Sequence, residues 1–420
     1  MTYNTATLSN GLRIIHRPSK AQVVYCGYQI NAGTRDEKPG EEGLAHFCEH
    51  ATFKGTARRK AWHVINSLEN VGGDLNAYTN KEGTVYHASL LREHMPRAID
   101  LLTDIVFHSV YPQSEIEKEV EVICDEIESY NDSPAELIYD EFESLLFDGH
   151  PLGHNILGTS ENVRNFTSED ARRFTGRHYR PDNSIFFIDG DVDFDHVVRL
   201  LCKAHGARRT TATTADKPSK NSEETSKKPH FIEPTVQGGS VITRIRNTHQ
   251  AHVMVGTQAY SIHHPRRMAL YLLNNILGGP GMNARLNTSL RERKGLVYTV
   301  ESSMVSYGDT GAWCIYYGCD PHNIQRCHRL ARRELTKLMD HPLTERQLSA
   351  AKKQIKGQIG VACDNRESFA LDFGKSFLHY GWEKDLDNLY RHIDQLTADD
   401  LLLTAREVFD SSRLITLVYK

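Results

Sequence analysis

The pattern of apolar and polar positions predicts strands interleaved with helices. VVYCGYQINAG, from residue 23, and AHVMVGTQAY, from residue 251, read as apolar strands, and a helical pattern follows each. SIFFIDGDV, from residue 184, predicts a further strand closed by a turn. GGDLNAYTNKEGTVYHASL, residues 72–90, predicts a β-hairpin with a Lys-Glu-Gly turn. We therefore expect sheets covered by helices.

The helical segments follow the same order in the two halves of the chain. PRAIDLLTDIVFHSV, from residue 96, is followed by a helix that begins in PQSE, residues 112–115. IQRCHRLARRELTKLM, from residue 324, is followed by a helix that begins in PLTE, residues 342–345. In both cases Ser or Thr stands at the expected N-cap, and Glu follows it. We predict an α+β protein with two homologous α/β domains, each an antiparallel-rich sheet covered by helices.

A polar segment separates the two copies. Residues 208–229, RRTTATTADKPSKNSEETSKKP, are rich in Thr, Ser, Lys and Pro and have no apolar periodicity, as is typical of a flexible linker. The expected domains are therefore residues 1–207 and residues 230–420, joined by this linker.

Composition narrows the classes of function. The chain has 420 residues, 25% charged and 39% hydrophobic, with a formal net charge of −4. These values are typical of a globular protein with more than one domain. Both signs of charge are spread along the chain without a strongly basic patch, which argues against nucleic acid as a partner.

Targeting signals and cysteine usage predict the compartment. The sequence has no apolar run of about 18 residues and no secretory pattern at its start, so we expect no membrane span. Its eight cysteines are scattered and form no C-x-x-C pair. This usage favours a reducing, cytoplasmic environment.

The most specific motif is His46-Phe47-Cys48-Glu49-His50, in an apolar helical stretch. Residues at i, i+3 and i+4 share one face of a helix, so His46 and His50 can bind one metal ion beside Glu49. This is the inverted H-x-x-E-H arrangement, and two imidazoles suit zinc. Cys48 is expected to face the domain core.

Catalytic zinc requires a third protein ligand and an open position for water. The helix around VEVICDEIESY offers Glu119 and Glu126, which lie seven residues apart and share a face. One can bind the metal and the other can hold a ligand in place. Their spacing does not choose between them.

Several stretches together resemble the pitrilysin/insulinase family of zinc peptidases, which includes the subunits of mitochondrial processing peptidase. HFCEHATFKGT is similar to the active-site helix of the family, EVEVICDEIESY to its third-ligand helix, and HPLGHNILGTSENV to another shared stretch. NNILGGPGMNARLNTSLRERKGLVYTVESS is similar to the companion domain. The resemblance covers almost the whole chain outside the linker and implies a processing-peptidase-like fold.

The resemblance implies roles for individual residues. It places one zinc ion per chain on His46, His50 and Glu126, with Glu49 as catalytic base and Glu119 assisting beside the site. It implies that substrate backbone pairs with the strand at Asn76, Ala77 and Tyr78, and that Arg291 and Tyr298 reach the substrate. The second copy has Lys356 at the position of Glu126 and lacks the motif, so we expect it to be metal-free.

The metal motif and the Arg/Tyr pair occur in the same chain, which favours a self-sufficient peptidase. The resemblance implies that its substrates are unfolded or short peptides, which the family encloses in a chamber. We expect a homodimer, although the family also forms heterodimers. Two alternative functions are consistent with either the same fold or the same metal site. One is a non-catalytic assembly subunit, although such subunits typically have damaged zinc motifs. The other is an enzyme that cleaves S-ribosylhomocysteine, whose related chain is far shorter.

Overall fold

A computed structural model describes residues 2–210 and 238–420. Most of the predicted linker, residues 211–229, lies outside the described residues. The described chain forms two compact units. The first contains residues 2–128, 154–210 and 362–385, and the second contains residues 129–153, 238–361 and 386–420.

The strands are β1 (Asn4–Thr7), β2 (Arg13–Pro18), β3 (Val23–Ile30), β4 (Asp74–Thr79), β5 (Thr84–Leu91), β6 (Ser184–Gly190), β7 (Val241–Arg244), β8 (Ala251–Ala259), β9 (Val297–Ser306), β10 (Gly311–Cys319) and β11 (Ile415–Tyr419). The helices are α1 (Leu44–Thr52), α2 (Ala61–Glu69), α3 (Met95–His108), α4 (Gln113–Asn131), α5 (Pro134–Leu146), α6 (Ser160–Asn165), α7 (Ser168–His178), α8 (Phe194–Ala204), α9 (Arg267–Gly278), α10 (Ile324–Asp340), α11 (Glu345–Cys363), α12 (Arg366–Tyr380), α13 (Leu386–Gln395) and α14 (Ala398–Val408). No helix of the described residues combines the length and the apolar composition that crossing a membrane requires.

The sheet of the first unit has the strand order β1-β2-β6-β3-β5-β4. β2 runs parallel to β6, and every other neighbouring pair is antiparallel. The predicted hairpin is confirmed, since Asp74 pairs with Ser89 and Thr79 pairs with Thr84. β3 and β6 lie in the middle of the sheet, and β6 is buried along its whole length. The hairpin therefore ends the sheet, with β4 as its edge.

The sheet of the second unit repeats this topology. Its order is β7-β11-β8-β10-β9, with β7 parallel to β11 and the other pairs antiparallel. The order and directions match β2-β6-β3-β5-β4 strand for strand, and β6 and β11 are each the last strand of their unit along the chain. The predicted fold class, two related domains built from sheets and helices, is confirmed.

Two helices pack in the unit formed mainly by the other half of the chain. α5 belongs to the second unit, where Ile138, Phe142 and Leu146 pack in one buried cluster with residues of β8, β10 and β11. α12 belongs to the first unit and packs on β3 and β6. Each sheet needs an apolar cover, and a helix from the other half of the chain supplies part of it. Continuous domains ending at residue 207 and starting at residue 230 do not describe this exchange.

Candidate metal centre

The first element of the site is α1. Gly43 precedes it with φ of 96°, a left-handed conformation that favours glycine, and a side chain there would collide with the Leu157 carbonyl. Phe47, Cys48 and Ala51 are fully buried in the core of the first unit. Since these residues fix one face of α1, the opposite face carries His46, Glu49 and His50 together.

The second element is α4, whose residues Ile116, Val120, Ile123 and Ile127 are buried. On the adjoining face, Glu119 is buried and the Glu126 side chain is 44% exposed. The structure brings both carboxylates to α1, as their common helix face predicts. Glu126 lies near the Nε2 atoms of the two histidines, whereas Glu119 contacts Nδ1 of His50.

The ring nitrogens and one carboxylate converge. Glu126 Oε1 lies 3.7 Å from His46 Nε2, and Glu126 Oε2 lies 3.4 Å from His50 Nε2. Bonds of about 2.0–2.2 Å to a tetrahedral zinc ion place its ligands about 3.3–3.6 Å apart. His46, His50 and Glu126 are the one group of three His, Cys, Asp or Glu residues in residues 2–210 and 238–420 with ligand atoms so close together, all within 4.8 Å. Donor type and spacing therefore both fit zinc.

Glu119 contacts the other side of the His50 ring. Its Oε1 accepts a hydrogen bond from His50 Nδ1 at 2.9 Å, and its Oε2 lies 2.5 Å from Lys54 Nζ. In the neutral ring with its hydrogen on Nδ1, the Nε2 lone pair would point toward Glu126, as a metal ligand requires. His46 Nδ1, in contrast, is buried without a hydrogen-bond partner.

Burial and neighbouring charges set the protonation of the site. Burial, with the nearby His50, lowers the pKa of His46 to about 4, so this ring is neutral near pH 7. Burial opposes protonation of His50, but Glu119 and Glu126 outweigh it and raise the pKa of His50 to about 9. The hydrogen bond from His50 lowers the pKa of Glu126. His50 is therefore protonated near pH 7 beside the Glu126 carboxylate, and a bound cation would replace the proton on Nε2.

Glu49 lies on α1 between the two histidines and is 7% exposed. Its Oε2 accepts a hydrogen bond from Thr79 Oγ1 at 2.8 Å, which ties it to the end of β4. Burial raises the pKa of Glu49. A raised pKa makes a carboxylate a stronger proton acceptor, which suits a general base.

Asn76, Ala77 and Tyr78 lie in β4. In the described part of the sheet, β4 pairs with β5 on one side only. A strand edge of this kind can accept an extended peptide through main-chain hydrogen bonds. The same strand carries Thr79, so the edge and the Glu49 carboxylate are joined through one residue.

Arg291 and Tyr298 belong to the second unit. Arg291 lies in a π-helical turn, Asn287–Glu292, and Tyr298 stands in β9 with 79% of its surface exposed. The Arg291 guanidinium lies 5.6 Å from the centre of the Tyr298 ring, so the structure brings this predicted pair together. Lys356, on α11, contacts the Asp394 carboxylate.

Two residues at the site escaped the sequence prediction. Thr79 ends β4, and Lys54 follows α1 by two residues. The position of Lys54 one turn after His50 is a weak signal for contact with a carboxylate, because basic residues are common at helix ends. Thr79 carries no signal, since its contact with Glu49 depends on how the hairpin packs on α1.

Comparisons with known proteins show which family the chain resembles. Residues 13–160 match the family described as "Insulinase (Peptidase family M16)", and residues 165–355 match the one described as "Peptidase M16 inactive domain". Among solved structures, a protease from Helicobacter pylori has a TM-score of 0.87 at 24% identity, with 100% of this chain and 99% of that chain covered. A structure from Pseudomonas fluorescens titled as a peptidase M16 inactive domain has a TM-score of 0.85 at 17% identity, covering 100% and 98% of the two chains.

Curated relatives extend the match along the chain. "Uncharacterized zinc protease YmxG" of Bacillus subtilis is 32% identical over 416 residues, which cover 98% of this chain and 97% of the relative. "Uncharacterized zinc protease SCO5738" of Streptomyces coelicolor is 32% identical over 410 residues, covering 97% and 87%. Because this similarity spans nearly the whole chain, the protein belongs to the insulinase family of peptidases.

Proposed function

We propose that the protein is a zinc-dependent endopeptidase that cleaves unfolded or short peptides, with one zinc ion per chain. The observation that carries this proposal is the spacing of His46 Nε2, His50 Nε2 and the Glu126 carboxylate, which fits the edges of a zinc tetrahedron. The relatives named as zinc proteases support the same chemistry.

Zinc bound at these three residues supplies a Lewis acid that polarises a carbonyl and lowers the pKa of water to about 7. Glu49 accepts a proton from the attacking water and later gives it to the leaving amine. Thr79 holds the Glu49 carboxylate in place, and Glu119 holds His50 in the tautomer that keeps Nε2 free. These residues therefore have separate tasks: proton transfer, orientation of the base and orientation of a ligand.

We assign substrate binding to β4, where a peptide adds a strand along Asn76, Ala77 and Tyr78. Main-chain pairing is weakly selective for sequence, so we expect cleavage at several kinds of site. Arg291 and Tyr298 are assigned to substrate contact, with Tyr298 also stabilising the oxyanion. We further propose that the chain acts as a cytoplasmic homodimer whose units enclose the peptide in a chamber.

The test is cleavage of a long, unstructured, fluorescence-quenched peptide by the purified protein. Glu49→Gln keeps the size of the side chain and removes the base, so it should bind zinc as the wild type does and lose at least about 100-fold in kcat. 1,10-Phenanthroline should abolish cleavage by the wild type. Near-normal turnover by zinc-loaded Glu49→Gln would contradict the role of Glu49, and no cleavage by a zinc-loaded wild type would favour a non-catalytic subunit.

A further inference from the structure

The metal-binding helix α1 begins without a side-chain cap of its own. Its N-cap residue is Gly43, so the first amides of the helix need an acceptor from elsewhere. Glu37 supplies it from the preceding loop. Its Oε1 accepts from Ala45 N at 2.7 Å, and its Oε2 accepts from Gly43 N at 3.1 Å. The Glu37 side chain is fully buried.

A second contact holds Glu37 in place. His154 Nε2 lies 2.8 Å from Glu37 Oε2 and 2.8 Å from the Thr34 carbonyl oxygen. A carbonyl oxygen only accepts, so His154 Nε2 carries the hydrogen and donates. All the groups that contact the Glu37 carboxylate are therefore donors, and an acid proton on it would have no acceptor. Burial raises the pKa of Glu37, whereas these donors favour the ionised carboxylate, and the geometry of the contacts fits that form.

The contacts of Glu37 and His154 extend to the β4–β5 hairpin, which carries Thr79, the residue that bonds to Glu49. Lys81, in the turn between β4 and β5, donates from Nζ to the His154 carbonyl oxygen, and its side chain is buried. Thr79, two residues earlier, holds Glu49. Glu37 and His154 thus connect the start of α1 to the hairpin at the edge of the sheet.

The charge of Glu37 matters because of where the metal ligands lie on α1. His46 is the third residue of the helix, within the first turn, where the helix dipole is positive and disfavours a cation. A buried carboxylate on the first amides offsets that positive potential, and burial limits its screening by solvent. Glu37 is the described carboxylate that contacts these amides.

We propose that Glu37, held by His154, is a positioning residue for the zinc site: it fixes the start of α1 against the β4–β5 turn and, through its negative charge, strengthens zinc binding by His46 and His50. This inference rests on the proposed function, since it requires zinc at these histidines.

The experiment measures zinc affinity by competition with a fluorescent chelator and the stability of the metal-free protein by urea unfolding. Glu37→Gln keeps the size of the side chain, replaces one acceptor oxygen by a donor amide and removes the charge, so zinc should dissociate about five-fold more readily. Glu42→Gln is the matched control, because Glu42 lies in the same loop, is only partly buried, and accepts from Gly40 N rather than from the amides at the start of α1. Its zinc affinity should stay within two-fold of the wild type.

The outcomes separate the alternatives. If Glu37→Gln lowers only the urea midpoint and binds zinc as the wild type does, Glu37 is a structural cap and the proposal is overturned. If the wild type itself binds no zinc, the proposed function fails instead. Should Glu37→Gln not fold, His154→Ala is compared with His154→Gln, which can still donate to Glu37. Weaker zinc binding in the first and recovery in the second support the proposal, and unchanged binding in His154→Ala overturns it.

Discussion

Glu119 and His50 form a 2.9 Å hydrogen bond on the side of the imidazole ring opposite to the proposed metal position. The bond fixes which ring nitrogen carries the hydrogen, so its loss should weaken the metal site without removing a ligand. We expect Glu119→Gln to lower zinc affinity about ten-fold. Chelator competition measures this change.

Glu117→Gln provides the control for Glu119. Glu117 lies on the same helix, is exposed, and contacts Gln113 at 3.5 Å. Its replacement removes the same charge from α4 at a distance from the histidines, and zinc affinity should not change. Equal losses in the two variants would mean that the net charge of α4, rather than the contact with His50, controls affinity.

The hydrogen bond from Thr79 to Glu49 leads to a prediction about turnover. Thr79→Val has nearly the same shape and lacks the hydroxyl, so Glu49 loses its orientation. We expect kcat to fall about ten-fold with zinc content unchanged, and Thr79→Ser to recover most of the activity. Steady-state kinetics with metal analysis tests this, and a loss of zinc in Thr79→Val would contradict it.

Because α12 covers the sheet of the first unit, replacing a buried residue of this helix should lower the stability of the protein. Phe373 is fully buried, and its ring packs against Tyr3, Phe187 and Phe369. Phe373→Ala should lower the free energy of unfolding by about 3–5 kcal/mol, because it leaves a cavity between helix and sheet. Phe373→Leu, with a smaller change in volume, should cost less than half as much. Urea unfolding measures both, and equal costs would argue against a packed contact.

His205 predicts a dependence of stability on pH. Burial, with the nearby His108, lowers the pKa of His205 to about 4, and its Nε2 bonds the Tyr28 hydroxyl at 2.9 Å. The unfolded chain binds a proton near pH 6.5, whereas the folded protein binds it only near pH 4. The contribution of His205 is therefore present above pH 6.5 and is lost as the pH falls toward 4.

We expect this loss to be on the order of 2 kcal/mol. His205→Gln can keep the hydrogen bond to Tyr28 and does not titrate, so its stability should fall less steeply over the same interval. Urea unfolding of the two metal-free proteins between pH 4 and 7 gives the difference. Parallel curves would show that other groups cause the dependence.

The sequence predicted the elements that depend on local spacing. His46, Glu49 and His50 share a face because i, i+3 and i+4 always do on a helix, and the β4–β5 hairpin follows from alternation and its turn. Spacing did not choose between Glu119 and Glu126, because both lie on one face of α4. That choice depends on how α4 crosses α1, which brings Glu126 to the Nε2 atoms and Glu119 to Nδ1.

The apolar and polar pattern of the sequence could not predict the exchange of α5 and α12 between the two units. An amphipathic helix shows that one face is buried, but its sequence does not state which sheet covers that face. The contacts of Glu37 were hidden for a similar reason. Glu37 caps a helix that starts seven residues later, whereas the known capping patterns join residues within one turn.

The position of α12 late in the chain has a consequence for synthesis. The strands that α12 covers end at residue 190, whereas α12 itself ends at residue 380. A ribosome that adds about 5–20 residues per second needs roughly ten to forty seconds for that interval. The sheet beneath the metal-binding helix therefore emerges with part of its apolar face uncovered. Its completion follows translation of nearly the whole chain, a period in which chaperones can bind the nascent protein.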